Sequence, residues 1–162
     1  MKAHHGLLPM ILLFITTGCL TGEAQKTDVK RLVDSQTYTF IAQRANPMSS
    51  ASIDLAGGYD VVVSKNKIVV YLPYYGRAYT APSTSDGGIK FTSTSFEHTL
   101  TPGKKDSWNI TIKPKDDNTI RELLFIFFDN GTATLQVNSD QRQPISFDGY
   151  IRESKPAKES KN

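Results

Sequence analysis

Cysteine is nearly missing from this chain of 162 residues, occurring once, as Cys19. One thiol cannot close a disulfide within the chain, so a disulfide-stapled fold is excluded even in an oxidising compartment. Histidine is almost as scarce. Of three, His4 and His5 stand near the start and only His98 falls in the remainder. That leaves too few imidazoles for a zinc triad, and no metal site is expected. The stretch DNGTATLQVNSD (129–140) has some look of a calcium loop, but it lacks the acidic positions and terminal glutamate such a loop needs. An excess of one charge is lacking too. The formal balance is +3, with Lys2 contributing one unit, which is no footprint for nucleic acid, where basic residues cluster on one face.

Long apolar runs are also rare. The one of note is LLPMILLFI at 7–15, behind Lys2. A helix needs about 20 apolar residues to span the roughly 30 Å hydrocarbon layer, so this run is too short to cross a membrane. It has the length and flanks of an export signal. Two processing sites compete. TTGC at 16–19 suits a bacterial lipoprotein cut before an acylated Cys19, although Thr16 stands where leucine is usual; the signal is then 1–18. GEA at 22–24 fits the small-x-small rule and makes the signal 1–24. The expected location is an outer-membrane lipoprotein facing the periplasm or cell surface, held by its lipid alone, or alternatively a soluble periplasmic or secreted protein. Residues 19–27 read as a tether, 28–151 as one folded domain and 152–162 as a polar, lysine-rich tail without an apolar anchor.

Helical spacing occurs briefly, in Val29, Leu32 and Val33 behind Thr27 and Asp28, enough for about two turns. Beyond it the pattern has period two. Tyr38, Phe40 and Ala42 alternate. In YDVVVSKNKIVVYL a turn at Lys65-Asn66 pairs Val63 with Ile68, Val61 with Val70 and Tyr59 with Leu72. In LLFIFFDNGTATLQV a two-residue type I′ turn at Asn130-Gly131 pairs Phe128 with Ala133, Ile126 with Leu135 and Leu124 with Val137. That register puts Phe125 and Phe127 on a partly covered face. Shorter alternations run through Ile89 and Phe91, through Phe96, His98 and Leu100, through Trp108, Ile110 and Ile112, with Trp108 in the core, and through Ile145 and Phe147. The expected fold is all-β: a single antiparallel β-barrel or curled half-barrel of about eight short strands, with a short N-terminal helix.

Motifs for chemistry are few. The pairs Gly57-Gly58 and Gly87-Gly88 lack the G-x-G-x-x-G spacing of a dinucleotide site, and no serine sits in a G-x-S-x-G elbow. No cofactor is expected, and the chain does not read as an enzyme. His98 shares a face with Phe96 and Leu100. It is either a core imidazole or a group lining a cavity, where it contacts a ligand or serves as a base. The stretch YLPYYGRAY is the richest in recognition chemistry. Pro73 ends the strand and leaves Tyr74, Tyr75, Arg77 and Tyr79 on an irregular connection, the kind that carries binding residues. Tyrosine offers apolar area with a phenol, and arginine a rigid fork; alternatively the rings pack over the barrel end. Arg142 either pairs with Asp140 or Asp148 or meets a ligand. A small apolar or aromatic-compatible ligand, or an envelope protein, is the partner these residues suit.

Three segments, YTFIAQRANPM, YLPYYGRAYTAPSTSDGGIKF and VNSDQRQPISFDGYI, together resemble a Bacteroidetes family catalogued as domain of unknown function 4251. Within them LPYYGRAY and RQPISFDGYI recur in that family in the same order, and the likeness runs from about Val29 to Ile151. The resemblance implies an exported or lipid-anchored envelope protein with a lipocalin-like β-barrel. It implies no activity and transfers no catalytic residue. The functional expectation is a cell-envelope binding domain working through the tyrosine/arginine loop and the barrel interior, or else a structural component of the envelope with no small ligand.

Overall fold

A computed structural model describes residues 21–79 and 87–154, with the side chains of the first helix described from Asp28 onward. Residues 1–20, which hold the expected export signal and Cys19, residues 80–86 of the tyrosine-rich stretch and the tail from Lys155 lie outside the described residues. One helix, α1 (Thr21–Ser35), precedes ten strands: β1 (Tyr38–Pro47), β2 (Ile53–Asp54), β3 (Asp60–Ser64), β4 (Lys67–Leu72), β5 (Ile89–Ser93), β6 (Phe96–Pro102), β7 (Ser107–Pro114), β8 (Ile120–Phe128), β9 (Thr132–Ser139) and β10 (Ile145–Arg152). The helix is longer than the two turns its apolar spacing suggests, and β10 carries the fold one residue past Ile151.

All ladders are antiparallel. Their order is β5-β4-β3-β1-β10-β9-β8-β7-β6, with β2 attached to β1, and the sheet is nearly closed into a barrel. The open seam falls between β5 and β6, which are consecutive in the chain. Their corner is held by Asp116, whose carboxylate accepts from Ser93 Oγ, the Thr94 amide at 2.8 Å and the Ser95 amide at 3.1 Å. Those donors stabilise the charged form and hold the Asp116 carboxyl down at about 2.

The core follows from the alternation. Tyr38, Phe40, Phe125, Phe127 and Phe147 are fully buried. The Tyr38 ring stands edge-on to Phe127 at 5.0 Å and to Phe125 at 6.2 Å, with Phe40 at 5.8 Å from Phe125. Edge-to-face packing of this kind adds roughly 0.5–1.5 kcal/mol per pair beyond area burial. At one end α1 buries Val29, Leu32 and Val33, while Arg31 pairs with Glu153 at 3.2 Å just past β10.

The β3–β4 hairpin has the expected register, with Val61 opposite Val70 and Val63 opposite Ile68. The β8–β9 hairpin corrects the expected one. Phe127 faces Ala133, Phe125 faces Leu135 and Leu123 faces Val137, because Asp129 joins Asn130 and Gly131 in a three-residue loop. Phe128 O accepts from Gly131 N at 3.0 Å, and Gly131 sits at φ 84°, the geometry of a type I turn closed by a glycine bulge. Asn130 Oδ1 accepts from the Thr132 amide at 3.0 Å and locks the turn. The shift of one residue exchanges the faces of β8. Leu123, Phe125 and Phe127 are therefore core, and Ile126 and Phe128 stand outside, 41% and 38% exposed. Trp108 is half-buried at the end of β7 and packs against the core instead of forming part of it.

Candidate functional site

The tyrosine/arginine loop is bound into the protein. Tyr74 donates its phenol to Arg77 O at 2.8 Å and Gln143 O at 3.1 Å. Gln143 N donates to Arg77 O, and Tyr79 N to Gln141 O. Arg142 pairs with neither aspartate expected for it. Its guanidinium donates to Gly87 O at 2.6 Å and Gly88 O at 3.2 Å and lies 5.0 Å from the Tyr74 ring centre. Asp140 instead takes Arg121 at 3.3 Å. Tyr74 and Arg142 thus fasten residues 73–79 to the β9–β10 connection, with Tyr74 and Tyr75 half-buried against the core. Arg77 and Tyr79 remain exposed, Tyr79 by 61%.

His98 lies far from that loop in pairing terms, on edge strand β6 opposite Ile112. It is half-buried, and its Nε2 is 3.4 Å from the phenol of fully buried Tyr38. Its Nδ1 is buried with no hydrogen-bond partner. Burial lowers the His98 pKa and raises that of Tyr38, so the pair is a neutral contact between β6 and β1. The structure does not join His98 to the tyrosine loop.

A different place has the room for a ligand. An open groove of about 540 Å³ is lined by Gln43, Arg44, Asp54, Phe128, Thr132, Ala133, Thr134, Asp148 and Gly149. Register explains its composition. The row Ala45, Phe147, Leu135, Phe125 points inward across β1, β10, β9 and β8, and the next row, Arg44, Asp148, Thr134, Ile126, points outward. A bulge at Gln43 sends two consecutive side chains, Gln43 and Arg44, to solvent. Gly149 forms part of the floor. A Cβ there would lie 1.9 Å from Ile41 O, so only glycine lets β10 approach β1 this closely.

The groove's polar groups hold one another. Arg44 Nε donates to Asp54 Oδ1 at 2.8 Å, Asn46 Nδ2 to Asp148 Oδ2 at 2.8 Å and Thr134 Oγ1 to Asp148 Oδ1 at 3.3 Å. The Asp54 hydrogen bond and charge, with a smaller contribution from Asp148, raise the pKa of the Arg44 guanidinium. Exposed Phe128 forms an apolar wall, with Ile126 beside it on β8 and Tyr150, 36% exposed, opposite Thr132. Sequence reasoning missed this site because its residues come from separate strands, and because Phe128 was placed in the core by the shifted register.

The profile of a family described as Domain of unknown function (DUF4251) matches residues 21–151. Among curated proteins nothing matches the chain. A crystal structure of a DUF4251 family protein from Bacteroides eggerthii resembles it with a TM-score of 0.64 at 13% identity, over 80% of this chain and 88% of that one. At that identity the likeness speaks for the fold alone.

Proposed function

The chain belongs to the DUF4251 family, and from that premise we propose that it is an exported, non-enzymatic binding domain of the cell envelope that takes its ligand or partner on the outer face of the barrel. The observation that carries this reading is the groove over β1, β9 and β10, where fixed polar groups stand beside exposed Phe128. Two features favour it over recognition through the interior or the tyrosine loop. The barrel axis is filled by Tyr38, Phe40, Phe125, Phe127 and Phe147, and the Tyr74 phenol proton and Arg142 Nη1 are engaged with backbone carbonyls. Export rests on the apolar leader at 7–15, and anchoring on acylation of Cys19.

A second reading, an assembly component without a small ligand, is favoured by the exposed apolar residues Ile126, Phe128 and Tyr150. One experiment addresses both. A benzophenone amino acid at position 128 or 77 is photolysed in intact cells, since benzophenone inserts into C–H bonds of protein and saccharide alike. We expect adducts from position 128 and few from 77. Adducts from 77 alone would return recognition to the tyrosine loop and overturn the proposal.

A further inference from the structure

We infer that the outer groove binds a saccharide, a step that rests on the outer-face reading and names its ligand class. Charge narrows the choice first. Arg44 stands between Asp54, which it pairs, and Asp148, which adds to its field. Asp54 neutralises Arg44, so the charge left over is the Asp148 carboxylate, held by the neutral donors Asn46 and Thr134. A free anion is repelled by that carboxylate, whereas a neutral ligand rich in hydrogen-bonding groups can donate to it.

The polar inventory matches a ring of hydroxyls. Asp54 and Asp148 are acceptors with lone pairs to spare beyond their present partners, Gln43 offers a carbonyl and an amide, and Thr132 and Thr134, whose protons go to Asn130 and Asp148, offer hydroxyl lone pairs. A sugar hydroxyl donates and accepts at once, so it can bridge a carboxylate and an amide or guanidinium. Mutual hydrogen bonds hold Arg44, Asn46, Thr134 and Asp148 in place before a ligand arrives, which limits the ordering cost of binding. The apolar part is equally specific. Phe128 gives the C–H face of a pyranose a ring to pack on. The volume, about 540 Å³, falls among those of small-ligand sites, roughly 300–1,000 Å³.

The test is an amide chemical-shift titration of the processed protein with cellobiose, maltose, mannobiose and diacetylchitobiose, taken to about ten times a millimolar dissociation constant. Sorbitol, which has hydroxyls but no ring, and acetate are the controls. We expect at least one disaccharide to shift the amides of Arg44, Thr132, Thr134, Asp148 and Gly149 saturably, and neither control to do so. Phe128→Ala and Asp148→Asn should each weaken that binding about tenfold or more, while their unperturbed spectra show the fold intact. If no disaccharide moves these amides, or sorbitol and acetate move them equally, the saccharide assignment is overturned. Should that happen while position 128 still cross-links a protein, the outer-face reading stands with a different ligand; silence in both experiments removes both.

Discussion

His98 shows how little a residue's type says about its use. The one histidine beyond His4 and His5, it invites a catalytic role, yet it faces a buried phenol at 3.4 Å and has an unpartnered Nδ1. It makes stability depend on pH, and the sign follows from burial. With a folded pKa below the ordinary 6.5, the native state keeps the ring neutral where the unfolded chain already binds a proton. Stability is therefore full above about pH 6.5 and is lost as the pH falls through the folded value. We expect the thermal midpoint to drop between about pH 7.5 and pH 5 in the wild type, and to drop less in His98→Gln. Equal slopes in the two proteins would show that the imidazole does not titrate differently on folding.

At the scale of elements, β8 decides most of the functional reading. Its sequence, IRELLFIFF, is apolar on both faces, so alternation alone cannot say which face is the core. The choice passes to the turn, and Asn-Gly is ambiguous. It suits a two-residue I′ turn, and equally a longer loop whose glycine takes positive φ at a bulge. Here the Asn130 side chain accepts from the Thr132 amide and hydroxyl, the longer loop forms, and the faces exchange. The β3–β4 hairpin was legible from Asp60–Tyr71 to the turn, though not in the expected Tyr59–Leu72 pair, which lies beyond the ladder, because its two-residue turn at Lys65-Asn66 left the pairing no such second choice. Truncation separates the two registers of β8. Phe125→Ala should cost roughly 3–5 kcal/mol, as expected for a fully buried ring, and Ile126→Ala under about 1 kcal/mol, as for a side chain largely in water. Urea denaturation measures both. The opposite ranking would restore the two-residue turn.

For the whole molecule, the fold class was legible and the site was not. Period-two patterning, hairpin-length links and a single short helix lead to a curled antiparallel sheet; the strand order, with its ends at β5 and β6, appears only in the structure. The tyrosine loop was visible because it is contiguous. Its role as a fastening was not, because the partners of Tyr74 and Arg142 are backbone carbonyls of Arg77, Gln143, Gly87 and Gly88, which carry no signature in a sequence. The groove draws on β1, β2, β8, β9 and β10 and exists only once the strands are in register. It also depends on the bulge at Gln43 and the bare backbone of Gly149, neither of which alternation reveals.

That register is open to direct chemistry, because the chain's one native thiol can be removed. In a Cys19→Ser background, single cysteines placed in turn at 123 through 128 are exposed to a water-soluble thiol reagent and their labelling rates compared. A filled barrel with its recognition face outside predicts fast labelling at 126 and 128, slower labelling at half-covered 124, and protection at 123, 125 and 127. Protection at 124, 126 and 128 with fast reaction at 125 and 127 would contradict it, turning Phe128 into the core and dismantling the groove wall.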